Sequence, residues 1–160
     1  MRTLGLALLL TLSACSSAEY KKQAFAEQKT SKVMEYDYAV VWKGVKEALS
    51  EYKLEEASEE EGRAVTDWAY STSSQKYIDV LVNGQPRRKH LQVRYKYKIS
   101  IKRQIIGVLV DVQTEEEVEN LSSEGAFKGW SDVDEENHDT TRTHEMLEII
   151  ERKILSGRHI

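Results

Sequence analysis

The chain has 160 residues, of which 31% are charged, with a formal net charge of −4 and one cysteine. That length suits one domain with one core. The mild acidity argues against a nucleic-acid backbone as partner, and a lone thiol excludes an internal disulfide framework.

At the start, Arg2 and the amino terminus precede an apolar run from Leu4 to Leu12, the layout of an export signal. The run is about half of the roughly 20 residues that a membrane-crossing helix needs. Ser13 and Ala14 stand directly before Cys15, and Leu12-Ser13-Ala14-Cys15 resembles the lipobox of bacterial lipoproteins. The resemblance implies cleavage before Cys15, a diacylglycerol on its sulfur and acylation of the new amino terminus. Two or more acyl chains, at about 0.8 kcal/mol per buried methylene, hold a protein to a bilayer where one does not. Ser16 in place of an aspartate implies delivery to the outer membrane of a two-membrane cell. Residues 1–14 are thus read as a signal peptide, 15–35 as lipidated cysteine and flexible tether with a reach of roughly 25 Å, and 36–158 as a single domain.

Asp37 is a good N-cap for a first helix, and Tyr38, Val41, Trp42, Val45, Leu49 and Tyr52 recur at three- and four-residue intervals as one apolar stripe. A strand from Leu54 to Ala57 and another from Arg63 to Tyr70 flank the acidic turn Glu59-Glu60-Glu61-Gly62. Lys76 to Val82 alternates, and Asn83-Gly84-Gln85-Pro86 is a turn into the next strand. From Leu91 to Ile101 the odd positions are apolar and the even ones polar. After Arg103 the parity flips, with Ile106, Val108, Val110 and Val112 on even numbers. A turn centred on Gln104 and Ile105 would set Ile99 opposite Val110, Lys98 opposite Asp111, Arg94 opposite Glu115 and His90 opposite Glu119. A long polar loop then runs from Asn120 to His138, and a last helix begins at Asp139, with a stripe of Thr143, Met146, Leu147, Ile150 and Ile154, and stops at Gly157. The expected architecture is α+β: a two-layer antiparallel sheet of about five strands covered by an N-terminal and a C-terminal helix.

Few of the chemical motifs survive inspection. Asp132 to Asn137 resembles a calcium loop, but Asn137 stands where glycine is needed and Thr143 where glutamate is needed. His138 and His144 are six apart and do not share a helix face as zinc ligands do. No Ser, His and Asp set sits in a nucleophile context, and no glycine-rich loop follows a strand. The reading is therefore non-enzymatic, without cofactor or metal. Half of the basic series from Arg87 to Arg103 faces Asp111, Glu115 and neighbouring acids in the expected register, which leaves Arg87-Arg88-Lys89 as its unpaired end. Phe127 and Trp130, on the long loop beside Gly125 and Gly129, are either anchors for a protein partner or a plug folded back onto the domain. With Arg87 and Arg88 they are the candidate partner-binding residues.

Val40-Val41-Trp42, the acidic turn ending in Gly62 and the strand Val65-Thr66-Asp67-Trp68 together resemble the domain of the BamC (NlpB, DapX) lipoproteins of the β-barrel assembly machinery. The resemblance covers residues 37–70. It implies a helix-grip fold, in which the sheet curls around the C-terminal helix, and a non-enzymatic accessory role in outer-membrane protein assembly. The expected function is that of an envelope lipoprotein on the periplasmic face of the outer membrane that binds a protein partner. The alternative is a periplasmic carrier that holds a lipid or other amphiphile between sheet and helix.

Overall fold

The computed structural model describes residues 21–22, 28–122, 125–134 and 137–157. The export signal, Cys15 and part of the expected tether lie outside them. In chain order the elements are β1 (Lys21–Lys22), β2 (Ser31–Met34), α1 (Tyr38–Ala48), β3 (Leu54–Ser58), β4 (Arg63–Thr66), β5 (Ala69–Val82), β6 (Gln85–Arg103), β7 (Val108–Leu121), β8 (Phe127–Asp132) and α2 (Thr140–Ser156).

Among the described residues eight strands join one antiparallel sheet, so the expectation of about five is corrected. β6 is its spine, pairing with β5 along its first half, with β4 along its second, and with β7 on its other side. β7 in turn pairs with β2 and β8. The three strands missing from the expectation have physical reasons to be faint. β1 is two lysines, β2 is a four-residue strand with only Met34 buried, and β8 reads Phe-Lys-Gly-Trp-Ser-Asp with a glycine in its middle. Their backbone groups are satisfied by stronger neighbours rather than by an alternating pattern of their own. The stretch expected to be tether up to Glu35 therefore supplies two strands, and the loop expected from Asn120 to His138 is a hairpin built on the end of β7.

Both helices pack on the same face of this sheet and against each other. The odd residues of β6, Leu91 to Ile101, and the even residues of β7, Val108 to Val112, are all buried, as their alternation predicts. Val41, Trp42 and Val45 of α1 and Met146, Leu147 and Ile150 of α2 close on the far half of that surface. A second cluster, including Ile78, Leu91, Val93 and Val118, fills the near half. The helices approach so closely that a Cβ on Gly44 would lie 2.4 Å from Cγ1 of Ile154. Asp139 caps α2 by accepting from the Thr141 amide at 3.1 Å. Asp37 occupies the corresponding place in α1 but caps only through its main-chain carbonyl, which accepts from the Val40 and Val41 amides.

Two details of register differ from expectation. The β6–β7 connection is Gln104-Ile105-Ile106-Gly107, closed by the Gln104 amide donating to the Gly107 carbonyl. Gly107 has φ +79°, and a Cβ there would meet the Met34 carbonyl oxygen at 2.3 Å. The turn therefore centres one residue later than expected, Ile106 becomes exposed loop, and Ile99 faces Val112 rather than Val110. The parity is unchanged, so the buried faces still match, while the charge partners each move by two: Arg94 faces Glu117, and Lys98 faces Gln113. Second, Arg63 to Tyr70 is two strands, broken at Asp67-Trp68, and β5 runs unbroken in name from Ala69 to Val82 with an irregularity between Thr72 and Tyr77. That irregularity swaps the inward side of β5, so Ile78 rather than Tyr77 points to the core.

Candidate functional site

The even residues of β6 point away from the helices, onto a face that no other element of the described structure covers with a second layer. Arg94 lies at its centre. Its Nε and Nη2 donate to one oxygen of Glu117 at 2.6 and 2.5 Å, a charge-assisted fork that fixes the planar guanidinium. The guanidinium carbon lies 4.5 Å from the Trp68 ring centre and 5.1 Å from that of Trp130. One cation thus sits between two indoles, an arrangement in which each ring's negative face meets positive charge.

The rings extend the cluster on both sides. Tyr70, directly opposite Arg94 in the β5–β6 register, lies 5.9 Å from Trp130, and Phe127 lies 5.6 Å from Trp130 in an edge-on contact. Tyr70 is 65% exposed and Phe127 58%. Along the same face Lys96 reaches Glu55 at 2.5 Å and Lys98 reaches Glu115 at 2.6 Å. The hydrogen bond from Lys98 holds the Glu115 carboxyl below its ordinary range, and the one to Glu55 raises the Lys96 ammonium. The face is therefore aromatic, with cations that already have carboxylate partners.

Of the candidate residues taken from the sequence, Phe127 and Trp130 come together here, on strand β8 rather than on a free loop. Arg87 and Arg88 do not join them. They lie on the exposed β5–β6 hairpin, with Arg88 stacked 3.8 Å over the Tyr77 ring and six residues, roughly 20 Å, along the strand from Arg94. Cys15 is outside the described residues. Trp68, Tyr70 and Arg94 were missed as members of a site. The parity of β6 put Arg94 on the outer face, but nothing local says that the β4–β5 connection and β8 bring Trp68 and Trp130 to it.

A second polar cluster, entirely unforeseen, lies inside. Ser73, Gln75 and Lys76 occupy the β5 irregularity and are buried; Lys76 has no exposed surface. Its ammonium donates to Glu116 of β7, whose other oxygen accepts from the Asp139 amide at 3.2 Å. Gln75 Nε2 donates to Asp139 Oδ1 at 2.7 Å. Arg142 stacks 3.9 Å over the Tyr95 ring with its Nη1 3.9 Å from Glu116. This network ties the β5 irregularity to the start of α2. Among the described residues no set of His, Cys, Asp or Glu is arranged to hold a metal ion, and no helix is long and apolar enough to cross a membrane.

No protein-family model matches the chain, and no curated protein matches it.

Proposed function

We propose that this chain is an outer-membrane-anchored envelope lipoprotein that acts as a non-enzymatic binding accessory and receives a protein partner on the outer face of its sheet. The observation that carries the reading is the group Trp68, Tyr70, Phe127 and Trp130 around Arg94, left uncovered while the opposite face is buried under two helices. Tryptophan, tyrosine and arginine are the residues that dominate interface energetics, because they offer large contact area at little conformational cost. Arg94 and its indoles are already held in place by Glu117, so little ordering remains to be done on binding. The lipobox around Cys15 supports the location. The resemblance over residues 37–70 makes outer-membrane protein assembly the process to test first.

The carrier alternative finds less support. The layer between sheet and helices is filled by side chains such as Trp42, Tyr97 and Met146, these three no more than 4% exposed.

The test is crosslinking and affinity purification of the native lipoprotein from its own cells. A partner recovered with the unaltered protein is expected to be lost with Tyr70→Ser and with Trp130→Ala, and kept with Ile105→Ser at the distant β6–β7 loop. Recovery unchanged by the two aromatic substitutions would reject the outer face as the binding surface.

A further inference from the structure

We propose that the Asn83–Gly84 end of the β5–β6 hairpin is the membrane-facing end of the domain, and that its basic residues lie against anionic phospholipid headgroups. The inference rests on the reading of Cys15 as the lipid attachment point, and it adds an orientation and a second, electrostatic contact.

The path of the chain carries it. Lys21 pairs with Tyr77 and Lys22 with Lys76, so β1 read backwards runs along β5 toward the Asn83–Gly84 turn. Six residues separate Lys21 from Cys15, and at no more than about 3.6 Å each they span at most about 22 Å. Six residues also separate Tyr77 from Asn83, a distance of roughly 20 Å along a strand. The segment is therefore long enough to put a lipid on Cys15 at the level of that turn. The opposite end of β6, at Gln104, lies 19 residues from Gln85, on the order of 60 Å of strand away and beyond the reach of the anchor.

The charge there fits a lipid surface. Residues 83–89 are all exposed and include Arg87, Arg88 and Lys89. Asp79, opposite Arg88 in the register, is the one acid in the sequence between Ala69 and Gln92, and Lys89 lies 4.0 Å from Glu119 of β7, so Arg87 and Arg88 carry most of the excess charge at the tip. The domain as a whole is acidic, so this end is a local reversal of sign, and each Lys or Arg within a Debye length of an anionic leaflet adds attraction. The Asn83 and Gly84 backbones, at φ +53° and +77°, form the tight two-residue turn expected of Asn-Gly and keep the tip narrow and rigid. An acyl anchor alone would leave the domain free to roll; the basic hairpin supplies a second point of attachment.

Lipidated protein from cells, carrying Gln85→Cys or Gln104→Cys labelled with a fluorophore, is reconstituted into vesicles of phosphatidylcholine with or without phosphatidylglycerol and exposed to headgroup-linked quenchers. The Gln85 label is expected to be quenched several-fold more than the Gln104 label when phosphatidylglycerol is present. Arg87→Glu with Arg88→Glu should abolish that difference while the protein still floats with the vesicles. Equal quenching at the two positions, or quenching at Gln85 indifferent to phosphatidylglycerol and to the charge reversal, overturns the orientation and leaves the anchor intact. Protein that fails to float with pure phosphatidylcholine vesicles overturns the anchor reading and this inference together.

Discussion

The two faces of one sheet carry the same kinds of ion pair to opposite effect. On the outer face Arg94–Glu117, Lys96–Glu55 and Lys98–Glu115 are solvated to varying degrees, and pairs of this kind contribute about 0–1 kcal/mol each. On the inner face Lys76 and Glu116 are 0% and 1% exposed at their side chains, so neither has water to fall back on. Burial decides the difference. A buried pair need not add much over an apolar substitute, but it is severe to break, because the remaining charge is stranded. The outer face can thus change with its partner, whereas the inner one is committed to the fold.

The sharpest way to break this contrast is Glu116→Ala, which strands the Lys76 ammonium and removes the acceptor of the Asp139 amide. Chemical denaturation should show a loss of about 3–5 kcal/mol. Lys76→Met combined with Glu116→Leu should recover much of it. A single substitution costing no more than Glu115→Ala would show that the inner pair is as solvated as the outer ones.

Next in size is Gly44→Ala, where the added carbon meets Ile154 between the helices. Overpacking of roughly 1–3 kcal/mol is offset by up to about 1 kcal/mol of helix propensity, and Ile154→Val should relieve part of the loss. The outer face should be far more tolerant. Arg94→Gln, which releases both indoles, is expected to cost about 1 kcal/mol in thermal or chemical unfolding while abolishing partner capture, a separation of stability from binding that no inner-face substitution should reproduce.

The smallest expected effect is on pH dependence. Glu115 ionises more readily in the folded protein than its ordinary value of 4.5, chiefly through the Lys98 hydrogen bond. Its folded value is lowered, so its contribution is present at neutral pH and is lost as pH falls from about 4.5 through the folded value. In Glu115→Gln the decline of stability below about pH 4.5 should be slightly shallower, and a double-mutant cycle with Lys98→Ala should give a coupling of about 0.2–1 kcal/mol.

Much of this molecule could be read from its local patterns. The alternation of β6 and of the first half of β7, the stripes of both helices, the Asp139 cap and the Asn83-Gly84 turn are periodicities and turn chemistries that span a few residues, and the structure contains each of them. The register of β6 against β7 was right in parity and wrong by two. Parity follows from which residues are apolar, but the exact pairing depends on whether Ile106 continues the strand or enters the loop. Gly107 and its close contact with Met34 decide that, and Met34 lies more than seventy residues earlier.

What the amino-acid order determined alone is the set of amphipathic pieces and the side of each that is buried, because hydrophobic periodicity is a property of neighbouring residues. Only the tertiary structure decided that Ser31–Met34 and Phe127–Asp132 become strands, that a lysine is sealed inside with a glutamate forty positions away, and that Arg94 lies between Trp68 and Trp130. Those outcomes depend on which strands become neighbours. Strand order is settled by loop lengths, irregularities and the packing of the whole sheet, and none of these is written in any one segment.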